Sequence, residues 1–403
     1  MLFTGRQLGV SCFVLLAFLV EAVVWTVASF PAPVTDVSWT WIGGKTGVNS
    51  AGKYGTLSVS SAESVPGGRY GSAAWVGSSG LVYLFGGSGY GDSSSGFLND
   101  LWCLNTSSME WTWIGGSSTV NQPGVYGTFR EGGPTNIPHP RANMAFWKTG
   151  SEHFWLFGGE GGADAGTYSD LNDMWLYDTA SGNWAWVAGN DTVNVAAVYG
   201  PEGVYGPSYN PGERDSAACW TGADGLLWLF GGVNRLTGNL FSDMWSFNTS
   251  SFEWAYIGGP TKPNQPGGYS APGAADASNV PGGRFGASSW TDSEGNLWLF
   301  GGSGYGNSVE NVGNLNDLWV YNMSLSVWVF VVGGDTPGNS GVYGTFDELS
   351  PANDPDGRFY AMSFFDALGN LQLFGGTPYL LPPLFGGSAF LNDLWVFDIG
   401  LRQ

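Results

Sequence analysis

The sequence predicts an all-β protein, a propeller of five four-stranded blades. Three observations carry that expectation: a fivefold internal repeat, strands that are short and rich in aromatic and β-branched residues, and abundant glycine with little charge. The doublet after each Phe has its first glycine at Gly86, Gly158, Gly231, Gly301 and Gly375, at spacings of 72, 73, 70 and 74 residues. Of 403 residues 66 are glycine and 11% are charged. That profile suits many turns rather than helices or disorder.

Each repeat divides into four strands. Strand A follows an arginine, as in "RFGASSW" at 284–290. Strand B runs into the doublet, as in "NLWLFGG" at 296–302. Strand C carries "LNDLW" at 98–102, 315–319 and 391–395, "LNDMW" at 171–175 and "FSDMW" at 241–245. Strand D is "EWTWIGG" at 110–116, with near-copies at 183–189, 253–259 and 327–334. Gly, Asn, Asp or Ser bounds each run, and polar alternation is weak, so both faces are expected to be buried. Four-stranded sheets packed face to face around an axis make a propeller. The stretch "SWTWIGG" at 38–44 is a D strand with no unit before it, and the unit at 358–398 has no D strand after it. We expect the first strand to complete the last sheet and close the ring, which removes exposed edges.

The doublet after strand B, the aromatic of strand C and the Trp of strand D resemble the Kelch family. The fuller pattern, "LWLFGG", "LNDLW" and "WTWIGG" with "NQPGVYGT" and "PGGR" loops, resembles galactose-oxidase-type Kelch propellers over about residues 38–398. The resemblance implies the fold and leaves function open. Copper-radical oxidases of that group would need two histidine ligands, tyrosines and a cysteine crosslinked to one of them. This chain offers His139, His153 and, beyond the leader, Cys103 and Cys219, in positions that make no copper site. No cofactor and no metal are expected, and no disulfide framework.

Repetition assigns most conspicuous residues to structure. The tryptophans of the repeats fill the space between blades. Arg69, Arg141, Arg214, Arg284 and Arg358 match Asp100, Asp173, Asp243, Asp317 and Asp393 in number, which suggests ion pairs within or between blades. Asn105, Asn190, Asn248 and Asn322 stand in glycosylation sequons; three of them share the turn between C and D, where Asn is also ordinary turn chemistry.

Function is expected where repetition fails. The A-to-B and C-to-D connections keep constant length. The D-to-A segments run 25 residues four times and 24 once, with a tyrosine at Tyr54, Tyr126, Tyr199, Tyr269 or Tyr343, and read as ordered Ω-type loops. The B-to-C loops vary, at 13, 14, 11, 15 and 17 residues from the doublet to the motif Asp. Loops on a rigid scaffold are where binding resides. The candidate binding residues are Tyr90, Asp92, Tyr168, Arg235, Tyr305, Glu310, Tyr379, Leu381 and Phe385.

Residues 1–29 read as a signal peptide, with an uncleaved anchor as the competing reading. Residues 30–37 form a short linker, 38–398 the propeller and 399–403 a tail. The net charge of −20 argues against nucleic acid and against anionic lipid. The expected protein is a secreted monomer, or a type II membrane-anchored one if the leader persists. It binds an extracellular protein or glycan through the B–C and D–A loop face. The alternative is an extracellular carbohydrate-active enzyme that uses loop carboxylates at the propeller mouth.

Overall fold

The structure is a computed structural model that describes residues 41, 43–164, 167–366, 369–378 and 390–398. The leader, the linker, the tail and the candidates Tyr379, Leu381 and Phe385 lie outside the described residues.

The described chain is all-β and antiparallel, as the sequence predicts. Four sheets carry strands A to D in order. The first has Ala73–Val76, Leu81–Tyr90, Ser95–Asn105 and Glu110–Gly115. The second has Ala145–Thr149, His153–Phe157, Met174–Asp178 and Asn183–Ala188. The third has Ala218–Thr221, Leu227–Phe230, Met244–Asn248 and Glu253–Gly258. The fourth has Ser288–Thr291, Leu297–Tyr305, Val312–Asn322 and Val327–Val332. The fifth has only three strands, Met362–Phe365, Leu371–Phe374 and Leu394–Phe397. No D strand pairs with Leu394–Phe397 among the described residues, and the structure shows no closed sheet.

Burial on both faces explains the weak alternation. Ala73, Trp75, Phe85 and Leu101 of the first sheet pack with Phe154, Leu156, Trp175, Tyr177 and Trp184 of the second. The same face-to-face arrangement repeats between the second and third sheets and between the third and fourth. Consecutive A strands neighbour one another from sheet to sheet, which makes them the inner strands. The indole of Trp75 donates to the Trp147 carbonyl at 2.9 Å, and that of Trp220 to the Trp298 carbonyl at 2.9 Å.

A backbone chain also runs along the inner turns. Asn143 N–H donates to Gly71 O, Ser216 to Asn143, Gly286 to Ser216 and Tyr360 to Gly286. All five residues stand two places after the strand A arginine, and all have left-handed φ, from 53° at Ser216 to 66° at Gly71. The glycine doublet is held just as tightly. Gly158 has φ 63°, and a Cβ there would lie 2.5 Å from the Arg214 carbonyl, so only glycine fits.

The D-to-A segments are loops closed on themselves, each by an internal bridge such as Lys53↔Val65 or Val125↔Ile137, whereas two of the B-to-C connections differ from the expectation of loops. The B-to-C segments of the first and fourth sheets continue as paired strand out to Tyr90↔Ser95 and Tyr305↔Val312. The D-to-A segments run back along the outer edge of the following sheet, through the bridges Ser61↔Trp111, Gly133↔Trp184 and Ala275↔Val329. In the third sheet the same segment forms a strand, Tyr205–Gly206, paired with Glu253–Gly258. These segments therefore cover the edge of strand D, the usual liability of an open sheet.

Candidate functional site

Beneath each D-to-A segment lies the same quartet, largely buried in the first four repeats and partly exposed in the fifth, where Tyr343 is 51% exposed. In the second sheet Arg141 Nη1 and Nη2 donate to Asp173 Oδ1 and Oδ2 at 2.5 and 2.7 Å. Tyr126 OH and Trp175 Nε1 also donate to Asp173 Oδ2, at 2.5 and 2.7 Å. Arg141 Nη1 reaches the carbonyl of Gly158 at 3.0 Å, tying the pair to the glycine doublet. Arg69–Asp100, Arg214–Asp243, Arg284–Asp317 and Arg358–Asp393 repeat the pairing, each within one sheet. The fixed fork of arginine matches the carboxylate, and the Tyr and Trp donors satisfy its remaining lone pairs. Burial alone would raise the Asp393 pKa, but its hydrogen bonds to Arg358, Trp395 and Tyr343 hold it down at about 2. Five such quartets are scaffold: they fix where strand A starts and where strand C enters.

A different set of polar residues gathers where the repeat is broken. Arg235, in the short turn between Val233–Asn234 and Asn239–Leu240, donates through Nε and Nη2 to Asp215 at 2.7 and 2.9 Å. Its Nε lies 3.4 Å from Glu160, which opens the strand Glu160–Asp164 of the second repeat. Its backbone N–H donates to Asp170 Oδ2 at 2.5 Å. Tyr360 of the fifth repeat lies 3.3 Å from Arg235 Nη2, and its hydroxyl shares a 2.6 Å hydrogen bond with Ser216 Oγ. Ser216 Oγ donates to Asp215 Oδ1 at 2.5 Å. The second, third and fifth repeats thus contribute to one cluster on the B-to-C side of the inner strands.

The electrostatics of this cluster are unusual. Glu160, Asp170 and Asp215 face a single guanidinium, itself 40% exposed. Asp170 is buried and its Oδ1 has no hydrogen-bond partner. Burial first, and the neighbouring Asp215 charge second, push its pKa up to about 8. Burial also raises Glu160, against the pull of Arg235. Tyr360 holds φ 54°, a region a bulky residue seldom occupies. Strain of this kind persists only where the surroundings over-determine it, and it collects at functional sites.

Of the sequence candidates whose side chains are described, the structure brings only Arg235 into this cluster. Tyr90 and Tyr305 stand at the outer ends of the B-strand extensions of the first and fourth sheets. Asp92 accepts from Ser118 Oγ at 3.0 Å and from Ser93 Oγ at 2.8 Å, and Glu310 is exposed. Tyr168 lies in Thr167–Asp170, opposite Gly162. Asn105 is exposed and its Oδ1 accepts from the backbone of Ser107 and Ser108; Asn248 and Asn322 form the same turn, and Asn190 accepts from Asn172 Nδ2. His139 is buried, with Nδ1 accepting from Gly124 N–H at 2.9 Å. No group of three or more His, Cys, Asp or Glu among the described residues is arranged to hold a metal.

The missed residues had a signal in the sequence. The position after the strand A arginine is Tyr70, Ala142, Asp215, Phe285 or Phe359. The position before the strand C motif is Phe97, Asp170, Leu240, Asn314 or Phe390. One carboxylate in an otherwise mostly apolar series marks each of these sites.

Comparison with known proteins places the repeats in a family. A family model described as the KLHDC2/KLHL20/DRC7 Kelch-repeats domain matches residues 53–271. Kelch domain-containing protein 3 of Rattus norvegicus is 30% identical over 211 residues, which cover 51% of this chain and 44% of that protein. The Homo sapiens protein of the same name is 30% identical over 199 residues, 48% of this chain and 41% of the relative. The matched region thus spans less than half the length of these relatives. Among solved structures, "Structure of YjhT" is 14% identical at a TM-score of 0.48, covering 82% of this chain and 81% of the other.

Proposed function

The chain belongs to the KLHDC2/KLHL20/DRC7 Kelch-repeat family, and from that membership we propose that it is a protein-binding module whose B-to-C side engages the partner. The convergence of Glu160, Asp170, Asp215, Arg235 and Tyr360 from three repeats carries this reading. A rigid scaffold presents them, and they are the polar residues that the repeat does not explain. The wider reading takes the leader as a secretion signal and the partner as extracellular. Affinity capture tests the face. Leu236→Asp with Val309→Asp, both exposed on B-to-C connections, should abolish capture of a partner that the wild type retains. Leu325→Asp, exposed on a C-to-D turn, should leave it unchanged. Equal loss from both changes would reject the face.

The pairing of Asp170 with Asp215 also favours a second reading, a carbohydrate-active enzyme with an acid and a base at the mouth. Hydrolysis or isomerisation of any oligosaccharide that Asp170→Asn abolishes would support it, and a silent screen would reject it.

We further propose that residues 38–44 complete the fifth sheet and close a five-bladed ring. Leu394 is 58% exposed where the equivalent Leu101 is 1% exposed. Met362, Phe364, Phe374 and Val396 are exposed beside it. On the first sheet Val82, Leu84, Leu104 and Trp111 are half-buried, while their counterparts Phe154, Leu156, Tyr177 and Trp184 in the second are buried. The two open faces are both apolar and correspond to the two sides of every buried interface between neighbouring sheets. Phe346, 97% exposed, corresponds to Phe129, whose ring packs on Trp186 of strand D at 4.7 Å. The Trp of "SWTWIGG" at position 41 would supply that ring in the fifth sheet.

A further inference from the structure

The cluster around Arg235 holds more acid than base, and one of its acids keeps an unused oxygen. Arg235 satisfies Asp215 through two hydrogen bonds and touches Glu160 at 3.4 Å. Asp170 Oδ2 accepts the backbone N–H of Arg235, its side chain lies within hydrogen-bonding reach of Asp215, and the guanidinium attracts it only through space. Asp170 is 1% exposed and its Oδ1 is unpartnered; the adjacent Ser169 Oγ is buried and unpartnered as well. A buried polar atom without a partner is costly, and its persistence calls for an explanation.

We propose that this cluster is a receptor for an alkylammonium or guanidinium group, a lysine or arginine side chain of the partner, with Glu160 and Asp170 as its acceptors. The proposal rests on the protein-binding reading above and names the chemistry of that partner. Three observations converge on it. Three carboxylates, Glu160, Asp170 and Asp215, share the one guanidinium of Arg235. Asp170 Oδ1 has no donor facing it, and the carboxylate beside it, Asp215, is itself an acceptor. The Phe285 ring, whose centroid lies 5.8 Å from the Arg235 guanidinium carbon, adds an aromatic face suited to a cation. The chain's net charge of −20 draws basic partners towards it at long range.

The groups facing Asp170 are Asp215 and Arg235 of the third repeat, with Glu160 on the strand beside it in the second; Tyr360 of the fifth contacts Arg235. Without a cation, burial and Asp215 keep a proton on Asp170. A bound cation favours the carboxylate, so binding at neutral pH expels that proton.

The test is calorimetric titration of the full chain with a capped pentapeptide of glycines around a central arginine, and with its citrulline counterpart. Buffers of two ionisation enthalpies report proton release. The arginine peptide should bind, releasing up to about one proton at pH 7, and the citrulline peptide should not. Asp170→Asn should abolish the release and weaken binding at least about tenfold, whereas Glu152→Gln, exposed on an A-to-B turn, should change neither. Equal binding of the two peptides overturns the proposal. So does binding without proton release, equal effects of the two substitutions, or no binding up to millimolar peptide. A captured partner that Asp170→Asn retains but Leu236→Asp with Val309→Asp loses would overturn this inference while leaving the protein-binding reading intact.

Discussion

Tyr360 and Ser216 stand 144 residues apart, in the inner turns of the fifth and third repeats, yet their hydroxyls share a 2.6 Å hydrogen bond. The bond passes over the fourth sheet, whose own inner turn, Gly286, lies between them in the backbone chain. Removing the hydroxyl leaves the packing of the ring. Tyr360→Phe should lower stability by about 0.5–1.5 kcal/mol, read as a shift in the urea midpoint at unchanged slope.

The buried Arg–Asp pairs should be much more sensitive. Arg141 and Asp173 have fully buried side chains. Arg141→Met leaves the Asp173 carboxylate buried without its cation, at a cost of about 3–5 kcal/mol. Arg358→Met should cost less, because Asp393 keeps 16% side-chain exposure. Denaturant melts of the two variants measure the difference directly.

Asp170 gives the stability a pH dependence of opposite sign to that of an ordinary salt-bridged acid. An unfolded Asp loses its proton near about 4, while the folded chain holds the Asp170 proton to about 8. Between those values the folded state binds the extra proton, so its stability falls as pH rises. Asp393, held at about 2, acts the other way below about pH 4 and is common to both proteins. The melting temperature of wild type should therefore drop more between pH 5 and pH 8 than that of Asp170→Asn. Parallel curves would place no proton on Asp170.

Ring closure is open to hydrogen exchange. If residues 38–44 pair with Leu394–Phe397, the amides of 394–397 should be protected in the full chain. Deleting 38–44 should expose them and lower the melting temperature by several degrees. Identical protection in both would refute closure by that strand.

The scaffold was legible in the sequence because each of its parts occurs five times. The glycine doublet, the strand A arginine and the strand C aspartate announce themselves by period, and the structure joins the last two in one hydrogen-bonded group. The role of the D-to-A tyrosines was harder to see. Tyr54 reaches Asp100 across 46 residues, a contact that only the return of the segment along the sheet edge makes. The Arg235 cluster was overlooked for the converse reason. Asp170, Asp215 and Tyr360 occur once each at their repeat positions, and reading by period discards single departures. Their meeting depends on how three repeats pack beside the inner turns, which no local spacing encodes.

The central claim, that the B-to-C side around Arg235 engages the partner, is tested most directly by hydrogen exchange with and without a captured partner. The account predicts slowed exchange at 160–164, 167–170, 233–240 and 302–312, with the C-to-D turns at 105–110, 178–183, 248–253 and 322–327 unaffected. Protection confined to those turns, with 233–240 unchanged, would contradict it.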